Sequence, residues 1–369
     1  MLIRKPTRHQ SGFQNTLGEL TMMRAINHTR TKSPALLQCL LGGCFAAALS
    51  LTPSLGLCDA KATYMYKLSD FSGDVPSLWA RVAVNPELGE VYALNREDAA
   101  IQIYNQEAMQ IFGFGEDLGL SSALDITSGQ NGDLYVLYSN PLNRILHLDY
   151  KGAPLSEIVP RDLPDTVRGF QGNFIVLKND SFYLADSEAM QVLVLSAEGK
   201  YENHIDLRQL LAEQINKDLS QADLRASQER KLQDDLKALS SAEINGFAVG
   251  NQGEIYFTAA TLFSAFRYKL DGTLEQFGIS GGAVGKFGVI SGIEADAAGR
   301  IYVTDRLRCV VLVFDKDFQF MTEFGYRGAA PQNLIVPDDV AINDQNDTVY
   351  VSQAANLGVS VYKLQFDTN

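Results

Sequence analysis

One short pattern recurs six times along this chain of 369 residues: an apolar residue, a tyrosine, and then an apolar pair or near-pair. The intervals between successive tyrosines are 43, 48, 73, 46 and 48 residues. Repetition at such a period is typical of folds in which each unit buries its apolar face against the next unit. The copies centre on Tyr92, Tyr135, Tyr183, Tyr256, Tyr302 and Tyr350.

Each copy belongs to a longer unit with the pattern of four strands. An apolar strand precedes the tyrosine, as at 82–84 and 340–342, and turn-forming Gly, Asn or Asp residues separate the two. A third strand such as 266–270 and a fourth such as 275–278 follow. Four short strands per roughly 45 residues, repeated in this way, predict an all-β fold, a six-bladed β-propeller.

The two ends of the repeat region are predicted to complete one blade together. After Tyr350 only one further strand remains, at 359–366, so the sixth unit lacks its outer strand. Residues 64–73 end much like 320–325, the outer strand of the fifth unit. We therefore expect residues 64–72 to pair with 359–366, which closes the ring and removes an exposed sheet edge.

The best-defined unit, residues 291–325, resembles an NHL repeat. The resemblance rests on Gly-Ile-Glu-Ala-Asp at 292–296, Gly-Arg-Ile-Tyr-Val-Thr-Asp at 299–305 and Val-Leu-Val-Phe-Asp at 311–315, and it extends over roughly residues 63–367. It implies the propeller fold. Because NHL propellers include enzymes, receptors and scaffolds, the resemblance does not assign a function.

The long interval of 73 residues contains an insertion at about 206–241 that has no Gly or Pro. Leucine and isoleucine recur there at four-residue spacing while Glu, Gln, Lys and Arg fill the other positions. This pattern predicts an amphipathic helix or helical hairpin. Two interpretations stay open: a lid packed on one propeller face or rim, and an arm that binds a partner.

Residues 1–60 have the order of a secretory leader. Basic residues between positions 24 and 32 precede an apolar, uncharged run at 34–58, and small residues follow, so cleavage is expected after Ala60 or Ala62. Met22 and Met23 stand just before this basic segment, so translation is expected to begin at one of them if residues 1–21 are not part of the natural protein. We expect residues 61–369 to form the mature propeller, in the periplasm or secreted.

Two alternatives concern the membrane. Leu41-Gly42-Gly43-Cys44 resembles a lipobox, and the apolar run is about long enough to span a bilayer if it is not cleaved. The protein would be attached to a membrane only through an uncleaved leader or a lipid on Cys44.

The charge of the chain restricts the kind of macromolecule that it can bind. The whole chain has 31 Lys and Arg against 44 Asp and Glu, of which six and two lie in residues 1–60, so residues 61–369 carry 25 against 42, a balance of −17. Such a surface repels phosphate backbones and excludes nucleic acid as the expected partner.

Cys309 is the one cysteine beyond the leader and is expected to be a small buried side chain.

Polar residues stand where the resemblance places one mouth of the central channel, before the inner strands and after the second strands. They fit recognition of a ligand or peptide, although turn formation also favours Asn and Asp at such places. The candidate binding residues are Arg81, Asn95, Arg96, Asn173, Asp186, Asn245, Asp305, Arg306 and Asp338.

The centres of the six inner strands carry two carboxylates, Asp125 in the second unit and Glu294 in the fifth. These units face each other in a six-membered ring. The pair could hold Ca²⁺ through oxygen ligands or share a proton. Channel water between the two, or capping of backbone groups between blades, is the alternative.

Catalytic motifs are scarce in the sequence. His147 and His204 are the histidines outside the leader, and no Gly-x-Ser-x-Gly, phosphate loop or CxxC pair occurs. We therefore predict an exported binding module for a protein, peptide or cell-envelope component, with no cofactor. The alternative is a Ca²⁺-dependent hydrolase or lyase of the gluconolactonase or paraoxonase type, which would use Asn245, Asp305 and Glu294.

Overall fold

The computed structural model describes residues 60–70, 72, 80–115, 117–138, 143–221, 223–354 and 358–366. The expected leader, apart from Ala60, and Cys44 lie outside this part of the chain. Among the described residues, none of the helices is long and apolar enough to cross a bilayer.

The described strands form six antiparallel sheets of four strands each, which confirms the all-β, six-bladed propeller. Blade 1 consists of β2 (Arg81–Asn85), β3 (Glu90–Asn95), β4 (Ala100–Tyr104) and β5 (Gln110–Phe114). Blade 2 consists of β6 (Asp125–Ser128), β7 (Leu134–Tyr138), β8 (Arg144–Leu148) and β9 (Pro154–Ile158). Blade 3 consists of β10 (Phe174–Lys178), β11 (Ser181–Asp186), β12 (Gln191–Ser196) and β13 (Tyr201–Asp206).

The second half of the ring follows the same order. Blade 4 consists of β14 (Gly246–Val249), β15 (Ile255–Ala259), β16 (Ser264–Tyr268) and β17 (Leu274–Phe277). Blade 5 consists of β18 (Ile290–Ala295), β19 (Ile301–Asp305), β20 (Val310–Phe314) and β21 (Phe320–Gly325). Blade 6 consists of β22 (Pro337–Asn343), β23 (Thr348–Gln353), β24 (Val359–Phe366) and β1 (Ala60–Lys67).

The first strand of each blade lies innermost. These inner strands contact one another in sequence around the ring, and β22 of the last blade contacts β2 of the first. The ring is therefore closed by backbone packing as well as by the outer strand of blade 6.

That outer strand comes from the beginning of the propeller, as expected. β1 pairs with β24 from Ala60 opposite Phe366 to Lys67 opposite Ser360, with a bulge between Tyr64 and Tyr66. The strand begins and ends earlier than the expected 64–72. It begins earlier because Ala60 to Thr63 pair with Phe366 to Lys363. It ends earlier because Ser69 leaves blade 6 and exchanges hydrogen bonds with Ala108 and Gln110 of blade 1, so the first segment connects the last blade to the first.

The repeat tyrosines mark the contacts between blades. Each lies in an apolar cluster that contains residues of the following blade: Tyr92 packs with β6 and β7 of blade 2, and Tyr350 packs with β2 and β3 of blade 1. Burial of such a large ring removes considerable apolar area from water at every interface. The members buried to 2% exposure or less are Tyr92, Tyr256, Tyr302 and Tyr350.

Three interfaces share a further device two residues after the tyrosine. The hydroxyl of Thr258 donates to the carbonyl of Ser291, Thr304 donates to Asp338 at 3.1 Å, and Ser352 donates to Ala80 at 2.6 Å. All three hydroxyl residues are fully buried. Each bond joins the second strand of one blade to the segment that enters the next, so blades 4, 5, 6 and 1 are linked in series.

The insertion forms two helices, α1 (Leu207–Leu219) and α2 (Ala226–Leu239), as the spacing predicts. The Asp206 side chain caps α1 by accepting from the backbone N–H of Gln209 at 2.8 Å. The buried side chains Leu211 and Ile215 pack in the cluster between blades 3 and 4, together with Leu262. The insertion is thus part of the packed structure of the propeller.

The closing strand generates a prediction about stability. A chain that starts at Leu68 lacks β1 and leaves the edge of β24 unpaired, whereas a chain that starts at Ala60 keeps the strand. We expect the shorter chain to lose on the order of 3 kcal/mol of unfolding free energy, because hydrogen bonds and ring contacts such as Tyr64 on Tyr362 are lost. Urea unfolding measures this difference, and equal midpoints would contradict closure by β1.

Candidate channel mouth

The two faces of the propeller differ in their connections. The turns from second to third strands and the segments between blades lie on one side, which we call the mouth face; the hairpins within strand pairs 1–2 and 3–4 lie on the opposite face. The helical insertion connects blade 3 to blade 4 and therefore belongs to the mouth face.

The inner strands enclose a central channel with a cavity volume of about 300 Å³. The strand pairing aligns its residues in layers. The residues opposite the six repeat tyrosines form one layer, which consists of Ala83, Thr127, Val176, Ala248, Glu294 and Ala341. Two residues nearer the mouth is the layer of Arg81, Asp125, Phe174, Gly246, Gly292 and Asp339.

This register corrects the alignment of the two candidate metal ligands. Tyr135 pairs with Thr127, so Asp125 lies about 7 Å nearer the mouth than the layer of Glu294. The prediction that Asp125 stands at the centre of the inner strand of blade 2 is wrong, because that strand begins at Asp125. The carboxylates do not face each other within one layer.

Arg81 lies between two carboxylates of the mouth layer. Its Nε is 3.9 Å from Oδ1 of Asp125, and its Nη1 is 3.6 Å from Oδ1 of Asp339. The guanidinium also lies 4.8 Å from the centre of the Phe174 ring. Arg81 is therefore held by charge on both sides and by a cation–π contact.

Both carboxylates also bind backbone groups of the following blade. Oδ2 of Asp125 accepts from the N–H of Ile175 at 2.9 Å, and Oδ2 of Asp339 accepts from the N–H of Val82 at 3.0 Å. Burial raises the pKa of Asp125 to about 7, against the opposing charge of Arg81. Burial likewise raises the pKa of Asp339. The structure therefore shows Asp125 in one of the expected alternatives, in which its carboxylate caps a backbone N–H group of the neighbouring blade.

A second ion pair lies beside the first. Oδ1 of Asp338 accepts from the Ser291 hydroxyl at 2.6 Å and from Nε of Arg306 at 2.7 Å. Burial alone would raise the pKa of Asp338, but Arg306, Ser291 and Arg81 hold it below its usual range. Three predicted residues, Arg81, Arg306 and Asp338, thus come together in one charged network.

Glu294 lies deeper in the channel and is half-buried. Its Oε1 accepts from the N–H of Ala295 at 2.9 Å. Burial raises the pKa of Glu294 to about 8; Lys178 opposes this rise, whereas Asp339 and Asp344 add to it. At neutral pH this carboxyl is therefore mainly protonated.

Three other predicted residues organise turns. Asn95, Asp186 and Asp305 each stand three residues after the repeat tyrosine. Asp305 is fully buried and its carboxylate accepts four backbone N–H bonds, from Gly288, Val289, Leu307 and Arg308, at 2.5–3.1 Å. Asp186 accepts from Gln171 and Ala189, and Asn95 accepts from Glu97 and Asp98.

Asn173 and Asn245 have equivalent positions before their inner strands. The side-chain oxygen of Asn173 accepts from the N–H of Ser187 at 2.8 Å, and that of Asn245 accepts from Ala260 at 2.7 Å. Arg96 lies apart from this pattern, and its buried Nε has no hydrogen-bond partner within the described part of the chain.

Some channel residues were missed by the sequence reasoning. Phe174 under Arg81 and Lys178 near Glu294 become visible only once the strand register is known. The described histidines stand away from the channel, His147 on the third strand of blade 2 and His204 on the outer strand of blade 3. Among the described residues no group of three or more His, Cys, Asp or Glu is placed to hold a metal ion.

Comparison with known proteins supports the fold. Residues 286–368 match the model of a family, DUF5128, described as a 6-bladed beta-propeller. No curated protein matches significantly. The match and the structure together establish a six-bladed propeller, and the NHL resemblance stays a prediction.

Several solved structures are similar in fold. A protein of unknown function from Bacteroides thetaiotaomicron has 12% identity and a TM-score of 0.57, covering 83% of this chain and 77% of that one. Virginiamycin B lyase from Staphylococcus aureus has 11% identity and a TM-score of 0.53, covering 83% and 99%. A gluconolactonase from Xanthomonas campestris has 13% identity and a TM-score of 0.51, covering 84% and 91%. At such identities the likeness concerns the fold alone.

The raised pKa of Glu294 predicts how stability depends on pH. In the unfolded chain this carboxyl ionises near its ordinary value of 4.5, and in the folded protein near 8. The folded state binds more protons between these values, so unfolding free energy falls as pH rises from about 4.5 to 8.

Glu294→Gln keeps the acceptor for Ala295 and removes the ionisation. We expect it to stabilise the protein at pH 8.5 by ~2 kcal/mol and to flatten the pH profile, after allowance for channel water. Urea unfolding at several pH values measures this, with Glu213→Gln on the exposed side of α1 as control. Identical profiles for wild type and Glu294→Gln would contradict a Glu294 carboxyl that stays protonated in the folded protein at neutral pH.

Proposed function

We propose that this protein is an exported propeller that binds a protein or peptide partner on its mouth face. The single observation that carries this proposal is the helical insertion, which is packed into the mouth face between blades 3 and 4 and enlarges it. An insertion fixed in this way provides a surface with a defined shape.

Arg208 shows how firmly the insertion is attached. Its guanidinium donates to the carbonyl of Glu188 at 2.5 Å, to that of Ala242 at 2.8 Å, and to that of Leu239. These carbonyls belong to the blade 3 turn, to the segment after α2 and to the end of α2. The exposed sides of both helices are therefore presented in a fixed orientation to anything that binds there.

The polar groups at the mouth favour binding over metal-dependent catalysis. The carboxylates of Asp125, Asp305 and Asp339 already accept backbone N–H bonds, and the amide oxygen of Asn245 accepts another. A Ca²⁺ ion would have to compete for these oxygens. Of the three residues that the lactonase-type alternative would use, Asn245 and Asp305 already accept backbone N–H bonds in turns, which supports a structural role for both.

Site-specific cross-linking tests the proposal. A photo-reactive amino acid is placed at Glu213 on α1 or at Leu307 on the mouth face, and at Tyr150 or Leu270 on the opposite face, all of which are exposed. We expect one discrete cross-linked species from the mouth-face positions in intact cells and none from the matched opposite-face positions. Equal cross-linking from both faces, or none at all, would rule out a mouth-face binding module.

A calcium titration tests the alternative of a Ca²⁺-dependent hydrolase or lyase. A ligand at one hundred times its Kd adds about 2.7 kcal/mol to the unfolding free energy, which is readily seen in a thermal melt. We expect the melting temperature in millimolar CaCl₂ to equal that in the same concentration of MgCl₂. A calcium-specific rise that is lost in Glu294→Gln, together with lactone hydrolysis, would replace binding by catalysis.

A further inference from the structure

The mouth side of blade 5 has an unusual concentration of positive charge. Three segments meet there: residues 279–289 before the blade, the turn 305–309 within it, and residues 326–336 after it. They contain four cations and one carboxylate, Asp305, which is fully buried, in a chain of net charge −13. We call these three segments the blade 5 surface.

Hydrogen bonds hold the three segments together. The N–H of Arg306 donates to the carbonyl of Val289 at 2.8 Å, and the side chain of Arg308 donates to the carbonyl of Lys286 at 2.8 Å. The guanidinium of Arg327 reaches the carbonyl of Leu307 at 3.4 Å. The cations therefore belong to one continuous surface.

Two of these cations have acidic partners beneath them. The Arg306 side chain is 43% exposed while that of its partner Asp338 is 6% exposed, and Arg308, which is 10% exposed, pairs with Glu323, whose side chain is 1% exposed. Lys286 and Arg327 are exposed as well. The solvent-exposed charge of this surface is therefore positive, although three buried carboxylates nearly balance its four cations. These carboxylates are Asp305, Asp338 and Glu323.

Apolar side chains stand among the exposed cations. Leu307 is 60% exposed and Tyr326 is 52% exposed, and both lie next in sequence to an arginine. Ile279, Val284 and Val289 are exposed on the neighbouring segment. Apolar groups concentrated among charges of one sign are a feature of protein-binding surfaces.

We propose that the blade 5 surface binds an acidic protein segment in which carboxylates alternate with apolar side chains. The carboxylates would pair with Lys286, Arg306 and Arg327, and the apolar groups would cover Leu307 and Tyr326. This inference rests on the proposed binding function and names its partner's chemistry. Charge complementarity identifies the occupant, because the rest of this acidic protein repels such a segment.

Fluorescence anisotropy with a labelled synthetic peptide of alternating glutamate and leucine tests the proposal on the whole mature protein. We expect Lys286→Glu with Arg327→Glu to weaken binding at low salt by about tenfold or more, and Leu307→Ser to weaken it by several fold. The matched controls are Lys151→Glu with Lys316→Glu and Leu270→Ser, which make the same changes on the opposite face.

Four results would overturn the proposal. The control pair could weaken binding equally, which would show a response to net charge alone. Leu307→Ser could bind like wild type, or the peptide could fail to bind wild type. Single-stranded RNA or anionic vesicles could bind more tightly than the peptide and depend on the same two cations, which would assign the surface to another class of ligand.

The failure of this inference is distinguishable from failure of the proposed function. If the Lys286→Glu, Arg327→Glu protein still forms the cross-linked species from Glu213, the mouth face binds its partner without the blade 5 surface. If the cross-linked species disappears together with peptide binding, the result supports both the mouth-face binding function and the role of the blade 5 surface in it.

Discussion

The packing of each repeat tyrosine against the following blade is the contact on which the rest of this structure depends. It places six apolar interfaces around one axis, and the chain can satisfy the last of them only by returning to the first blade. β1 completes that return by pairing with β24. Because the blades cannot separate independently, the inner strands are held at the spacing that forms the channel.

The charged groups at the mouth follow from the same constraint. An inner strand at a blade interface leaves backbone N–H groups with no partner in the neighbouring sheet, and burial makes such groups costly. Asp125 and Asp339 accept from two of them, and Arg81 neutralises the resulting carboxylates. The mouth network therefore stabilises the ring.

Most of the fold could be predicted from the sequence, because blade number, closing strand and helical insertion each have a local signature. The tyrosines count the blades, and the four-residue spacing of Leu207, Leu211 and Ile215 predicts α1. The extent of the closing strand was less predictable. Ser69 pairs with blade 1, and no local pattern indicates that change of partner.

The candidate site was predictable only in part, for two physical reasons. The first is register: moving an inner strand by two residues preserves its apolar pattern, so sequence alone could not place Asp125 one layer away from Glu294. The second is that Asn and Asp serve turns and ligands equally well. Asp305 and Asn245 look like ligands in the sequence, and only the structure shows that both side chains accept backbone N–H bonds in turns.

Hydrogen–deuterium exchange on the cross-linked complex shows whether the partner binds on the mouth face. We expect slower exchange in residues 279–289, 305–309 and 326–336 and in the exposed helices, with no change in the opposite-face turns at 86–89, 150–153 and 270–273. Slower exchange confined to the opposite-face turns or to the inner strands around Glu294 would contradict it.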